Sequence, residues 1–218
     1  MNMLKTICRT GIALLSLTVS GFAQESWELG VAGGYGFYKN ITATNATGEA
    51  SVGFKPGYAF GMVAGNEIND LFGGEARYTY RQNDARVKSG DLEAQFDAES
   101  HALHYDFIFH LAPRPFRVRP FLAVGAGVKI FRGTGQGRAF QPLNNFVALT
   151  RATQVAPLVS AGAGFKMRLS NLMTLRVEAR DYASTFPSEV VAPVPGARAS
   201  GWLHDIVPLV GLSFAVGR

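Results

Sequence analysis

The stretch Val155-Ala156-Pro157-Leu158-Val159-Ser160-Ala161-Gly162-Ala163-Gly164-Phe165-Lys166-Met167-Arg168-Leu169 changes character at every residue. Its odd positions are Val, Pro, Val, Ala, Ala, Phe, Met and Leu, while the even positions become small or charged toward Lys166 and Arg168. Side chains of a β-strand point alternately to opposite faces, so this pattern predicts one greasy face and one small, charged face.

Seven other stretches read the same way: Trp27 to Tyr38, Gly57 to Glu67, Leu71 to Arg81, Ser100 to Leu111, Arg119 to Phe131, Leu172 to Tyr182 and Trp202 to Val216. With Gln154 to Leu169 they make eight strands. Each reaches the roughly 9 to 11 residues that a tilted strand needs to cross a bilayer. No unbroken apolar run in residues 24–218 has the roughly 20 residues of a spanning helix. Twenty-five glycines, 16 phenylalanines and 7 tyrosines also favour sheet over helix.

The charges decide between a soluble and a membrane fold. In the third strand Phe72, Tyr78 and Tyr80 oppose Glu75, Arg77 and Arg81; in the seventh Met173, Leu175 and Val177 oppose Arg176, Glu178 and Arg180. A soluble barrel puts its apolar face inside and its charges outside, whereas the interior predicted here is a mixture of Gly, Ala, Glu, Arg, Lys and His that would leave a water-soluble protein without an apolar core. In lipid the apolar face is solvated by acyl chains and a closed sheet pairs every backbone group. The expected fold is therefore an all-β, transmembrane, antiparallel up-and-down barrel of eight strands. The fourth strand is awkward: Leu92, Ala94 and Phe96 are apolar at even positions but Leu103, Tyr105, Phe107 and Phe109 at odd ones, which predicts a bulge or loop residue near Ser100.

Short turns at Asn66–Asp70, Ala112–Pro115 and Ser170–Asn171 alternate with long connections at Lys39–Pro56, Gln82–Glu99, Arg132–Thr153 and Ala183–Gly201. The long ones are expected to be irregular, the last kept extended by Pro187, Pro193 and Pro195. In an outer-membrane arrangement the short turns and both termini lie on the periplasmic side. Asn40-Ile41-Thr42 and Asn45-Ala46-Thr47 fit the glycosylation sequon but read as ordinary loop sequence.

At the N-terminus, Lys5 and Arg9 precede an apolar run from Ile12 to Val19 and the small-residue site ending at Ala23. Residues 1–23 are expected to be a cleaved secretory signal peptide and residues 24–218 the barrel domain. Cleavage removes Cys8, the single cysteine, which argues against disulfides, thiol chemistry and lipoprotein anchoring. The formal charge of +5 falls by two, and the remaining bases are scattered, which argues against nucleic-acid binding.

The last strand resembles the C-terminal β-signal of outer-membrane proteins: Gly211, Phe214 and Val216 match its glycine and spaced apolar residues, while Gly217-Arg218 stands where a terminal aromatic is usual. With its glycine-aromatic first strand, the chain resembles the small eight-stranded OmpA-like and OmpX-like barrel domains. That resemblance implies a place in the Gram-negative outer membrane, insertion by the barrel-assembly machinery, contact with outer-membrane lipid and lipopolysaccharide, and a monomer.

Function then turns on the inward residues Glu75, Arg77, Arg81, Asp106, Lys129, Lys166, Arg168, Arg176, Glu178, Arg180 and Asp205. They could line a porin-like channel. Eight strands enclose only enough room for side chains, however, so a salt-bridged plug and a structural or surface-interacting role are expected instead. His104 with Asp106 and His204 with Asp205 have a catalytic flavour, since a carboxylate can orient an imidazole as a base. No nucleophile stands beside them, and the His-x-Ser pattern of outer-membrane lipid A deacylases follows none of His101, His104, His110 or His204. A lipid-modifying enzyme is the lesser alternative; no catalytic residue, metal site or cofactor is expected.

Overall fold

Alternation on a scale of eight strands produces a sheet that closes on itself. The computed structural model describes residues 27–136 and 141–216; the expected leader at residues 1–23 and the terminal Gly217-Arg218 lie outside them. Fourteen strands are found among the described residues: β1 (Trp27–Lys39), β2 (Ile41–Asn45), β3 (Gly48–Phe54), β4 (Gly57–Glu67), β5 (Phe72–Gln82), β6 (Ala85–Ser89), β7 (Leu92–Phe96), β8 (Ala98–His110), β9 (Val118–Gly133), β10 (Val147–Leu149), β11 (Thr153–Arg168), β12 (Met173–Thr185), β13 (Val191–Pro193) and β14 (Trp202–Val216). Eight of them form a closed antiparallel barrel in the order β1-β14-β12-β11-β9-β8-β5-β4. These are the eight expected strands, with ends shifted by a few residues at most.

The barrel is apolar outside. Val31, Phe60, Met62, Phe107, Val124, Val159 and Val210 are exposed along mid-strand positions, where acyl chains would cover them. Aromatic residues gather nearer the strand ends, including Phe37 and Tyr58 at one end and Phe72 and Phe109 at the other. The short turns are closed by side-chain caps: Asn69 Oδ1 accepts from the Leu71 and Phe72 amides at 2.9 and 2.8 Å, and Ser170 Oγ accepts from Leu172 and Met173.

The long connections are not irregular. β2, β3, β6 and β7 form a four-stranded sheet, and β10 pairs with β13. The second long connection is its barrel hairpin continued with the same facing, whereas the first keeps its register but changes facing at Asn40, inward residues being even-numbered in β1 and odd-numbered in β2. Pairing runs unshifted from Trp27↔Asn66 to Asn45↔Gly48, and from Phe72↔Phe109 to Ser89↔Leu92. The first hairpin turns through Asn45-Ala46-Thr47-Gly48, where Asn45 Oδ1 accepts from the Thr47 amide at 2.8 Å; the second turns on Gly90 at φ +57°, in the left-handed region that a tight hairpin demands. Pro193 belongs to a strand, paired with Val147.

The expected bulge near Ser100 is therefore absent, and its physical explanation is an inversion of environment rather than a slip of phase. Even-numbered residues point inward from Ala94 through Phe96, Ala98, Ser100, Ala102 and His104 to Asp106. Inside the membrane that face meets a polar lumen; beyond it, the same face meets an apolar core. Ala43, Ala50, Val52, Phe54, Val87 and Phe96 from the four-stranded sheet pack with Phe131, Phe146, Val147, Phe186, Val191 and Leu203 over the long-loop end of the barrel. Fully burying each of the larger aliphatic or aromatic groups contributes about 1.5–3 kcal/mol, so this cap is stabilised as a soluble protein is.

Two measurements follow. Val159→Arg on the lipid face should lower stability in vesicles by about 2–4 kcal/mol, whereas Thr42→Arg on the solvated face of β2 should be near neutral by urea unfolding. At the junction of barrel and cap, burial and the charge of Asp97 push the Asp84 carboxyl up. An acid raised in the folded state destabilises it once ionised. Asp97→Asn should accordingly raise the unfolding temperature at pH 7, and the gain over wild type should vanish below about pH 4.

Candidate functional site in the barrel lumen

The lumen is built in layers, and strand order fixes their sequence. At the short-turn end, Arg119 bonds to Glu67, with Arg114 Nε 3.0 Å and His110 Nε2 3.6 Å from the same carboxylate. Lys166 lies 2.7 Å from Glu28 and 3.1 Å from Glu75.

Above this, Arg176 grips Glu75 with two nitrogens at 2.7 and 2.8 Å, and Arg77 reaches it at 3.1 Å. Glu178 is shared by Arg77, Arg180 at 3.1 Å and Arg176 at 3.7 Å. Asp106 takes Arg180 at 2.5 Å. Four cations, Arg77, Lys166, Arg176 and Arg180, thus meet four carboxylates, Glu28, Glu75, Asp106 and Glu178. A buried ion is tolerated only when such partners satisfy it, since each unpaired charge costs several kcal/mol.

An apolar layer follows: Ala59, Ala102, Leu158, Tyr182, Val207 and Leu209 form one buried cluster. On β8, β11 and β12 these residues lie above the lower charges Asp106, Lys166 and Arg180, and on β14 they lie below the upper charge Asp205. The upper set is Asp205, 2.5 Å from Arg81 and 2.8 Å from Lys129. Lys129 Nζ also lies 4.8 Å from the Tyr38 ring centre and 5.2 Å from that of Phe131, a cation–π arrangement that leads straight into the apolar cap.

Glycine makes room for the long side chains. A Cβ on Gly36 would stand 2.2 Å from the Arg81 guanidinium, and one on Gly125 would stand 2.2 Å from Asp106 Oδ1. Eight strands leave so little interior that an arginine on one strand needs a bare backbone opposite.

Ten of the eleven residues expected inside are buried there: Glu75, Arg77, Arg81, Asp106, Lys129, Lys166, Arg176, Glu178, Arg180 and Asp205. Arg168 is not. It ends β11, is exposed at the rim and donates to the Pro115 carbonyl at 3.2 Å. Glu28, on the charged face of the first strand, belongs to the network too, as do Glu67 and Arg119, whose inward parity is visible in the sequence.

Of the two histidine pairs, His104 Nε2 lies 3.3 Å from Asp106 but is not aligned as a hydrogen bond. His204 does not pair with Asp205. Neighbours in a strand face opposite ways, so Asp205 points into the lumen while His204 points out, its Nδ1 2.7 Å from Asp181. Gly211 pairs with Ala32 and Arg176, whereas Phe214 and Val216 are about half exposed on the lipid face.

This architecture recurs in solved structures. Neisserial surface protein A (NspA) superposes with a TM-score of 0.55 at 14% identity, over 87% of this chain and 96% of that one. OprG from Pseudomonas aeruginosa gives 0.55 at 12% identity, over 89% and 98%. At those identities the likeness is one of fold. No curated protein matches the chain in sequence. A sequence model of the outer membrane protein beta-barrel domain does match it, over residues 11–198; spanning most of the chain, that match makes this protein a member of the family and places it in the outer membrane.

Proposed function

We propose that the barrel is a closed, non-conducting anchor that holds its folded cap at the cell surface, in a structural or surface-interacting role. The observation that carries this reading is the alternation of neutralised charge and apolar packing along the lumen. Leu158, Tyr182, Val207 and Leu209 cross it between two ion-paired sets, and the cap core rests on the upper set. An ion entering from either end meets an apolar layer without hydration, a barrier of the kind that gates channels by dewetting.

On this reading the short turns face the periplasm and the cap faces outward. Outer-membrane lipid and lipopolysaccharide surround a monomeric barrel, and Gly211, Phe214 and Val216 serve recognition by the barrel-assembly machinery. Catalysis has no part in it: His104 and Asp106 are 4% and 0% exposed, closed to any substrate.

A porin-like passage is the second reading, favoured by one observation. Arg81 Nε and Nη2, both His104 ring nitrogens and Asp106 Oδ1 are buried without a hydrogen-bond partner among the described residues, and polar groups so placed are suited to water. Planar-bilayer recording of refolded protein separates the two. The anchor reading expects no stable conductance step across the accessible voltage range. Discrete, reproducible steps from wild-type protein would overturn it.

A further inference from the structure

The short-turn mouth of the lumen holds a cavity of about 150 Å³, several times the space that one water needs. Its charge is unbalanced. Arg114, Arg117, Arg119, Lys166 and Arg168 line it against two carboxylates, Glu28 and Glu67. Both carboxylates are already engaged, Glu67 by Arg114 and Arg119 and Glu28 by Lys166 and, at 3.6 Å, by Arg176. Asp70, at the rim, is engaged by Arg114 at 3.3 Å.

The cations are stacked as rungs across β9 and β11. Arg119 is the cross-strand partner of Lys166, and this inner rung has its carboxylates. One step outward the Arg168 amide donates to the Arg117 carbonyl at 2.8 Å, so Arg117, just before β9, stands beside Arg168, the last residue of β11. Neither guanidinium meets a carboxylate among the described residues. Like charges side by side repel, and two guanidinium groups lining one cavity, that of Arg168 also donating to the Pro115 carbonyl at 3.2 Å, offer the planar donors that an oxyanion accepts from.

We propose that this mouth is a binding site for a phosphate group, with Arg117 and Arg168 as its principal ligands and Arg119 and Lys166 supplying the field behind them. The group could belong to a soluble phosphate or to an anionic phospholipid headgroup of the adjacent leaflet; both offer the same oxygens.

Trp27 lines the cavity, and the chain's other tryptophan, Trp202, begins β14 at the opposite end. In a Trp202→Phe background, tryptophan emission from refolded protein in neutral micelles therefore reports the mouth. Inorganic phosphate and short-chain phosphatidylglycerol are titrated separately, with sodium chloride at matched ionic strength as reference. The proposal expects a saturable change with at least one of them and none with chloride. A response to phosphate identifies a soluble ligand, and a response to phosphatidylglycerol alone identifies the headgroup. Arg117→Gln with Arg168→Gln should raise the half-saturating concentration about tenfold or more, while Arg132→Gln at the far end leaves it unchanged; circular dichroism confirms that each variant is folded. No saturable change with either probe, a change reproduced by chloride, or one that survives the double substitution in folded protein would overturn the site.

Discussion

A backbone N–H or C=O without a partner in hydrocarbon costs several kcal/mol, and a sheet with a free edge would carry a row of them. Closure of β1 onto β14 removes both edges. Every other feature of the lumen descends from that closure. Eight strands fix the width, an interior just wide enough for side chains to fill, and the period of two sends every second residue into it. Whatever stands there must satisfy itself. The four-against-four set around Glu75, Arg176 and Glu178 does so, and bare backbone at Gly125 and Gly36 leaves space for Asp106 and for Arg81.

The same strands then obey the opposite rule a few residues later. Where β1, β4, β5 and β8 pass out of the membrane their hairpins continue as β2–β3 and β6–β7, β2 and β7 parting from the barrel neighbours β14 and β9, and β9 carries Phe131 up beside Phe54, their rings stacked 5.2 Å apart. Outside, water solvates the outer face and the inner face becomes apolar. The inward face of β8 and β7 illustrates the switch: Asp106, His104 and Ser100 give way to Ala98, Phe96 and Ala94. A charged lumen and an apolar cap are thus two answers to one geometry, chosen by the solvent on the far side of the sheet. Closing the long-loop end with a folded core also explains why the upper charges, Arg81, Lys129 and Asp205, lie almost wholly buried.

Much of the barrel was legible because period-two alternation is local: parity alone places Glu75, Arg77, Arg176 and Glu178 on the inward face. What parity cannot show is a change of environment along an unbroken strand. Ala94 and Phe96 mimic a slipped register if apolar means outward throughout, whereas their inward face has left the membrane and packs in the cap, and Leu92 is exposed at the hairpin tip. His204 and Asp205 looked like partners because they are adjacent in sequence, the one spacing that strand geometry keeps apart. Arg168 carried the right parity but lies where the strand ends, and strand ends are the boundary that alternation marks least. The pairing of Glu178 with residues of β5, about a hundred positions earlier, is set by barrel closure and has no local signature.

On the proposed anchor reading, mutual ion pairing, rather than solvation by a water column, holds the lumen closed. This is tested most directly by a double-mutant cycle on Glu75 and Arg176, using urea unfolding of protein refolded in lipid vesicles. Glu75→Leu and Arg176→Leu each leave a buried partner uncompensated, at about 3–5 kcal/mol, and the double variant should cost less than their sum by at least about 1 kcal/mol. Small, additive losses would show that water already solvates both groups, and would contradict the account.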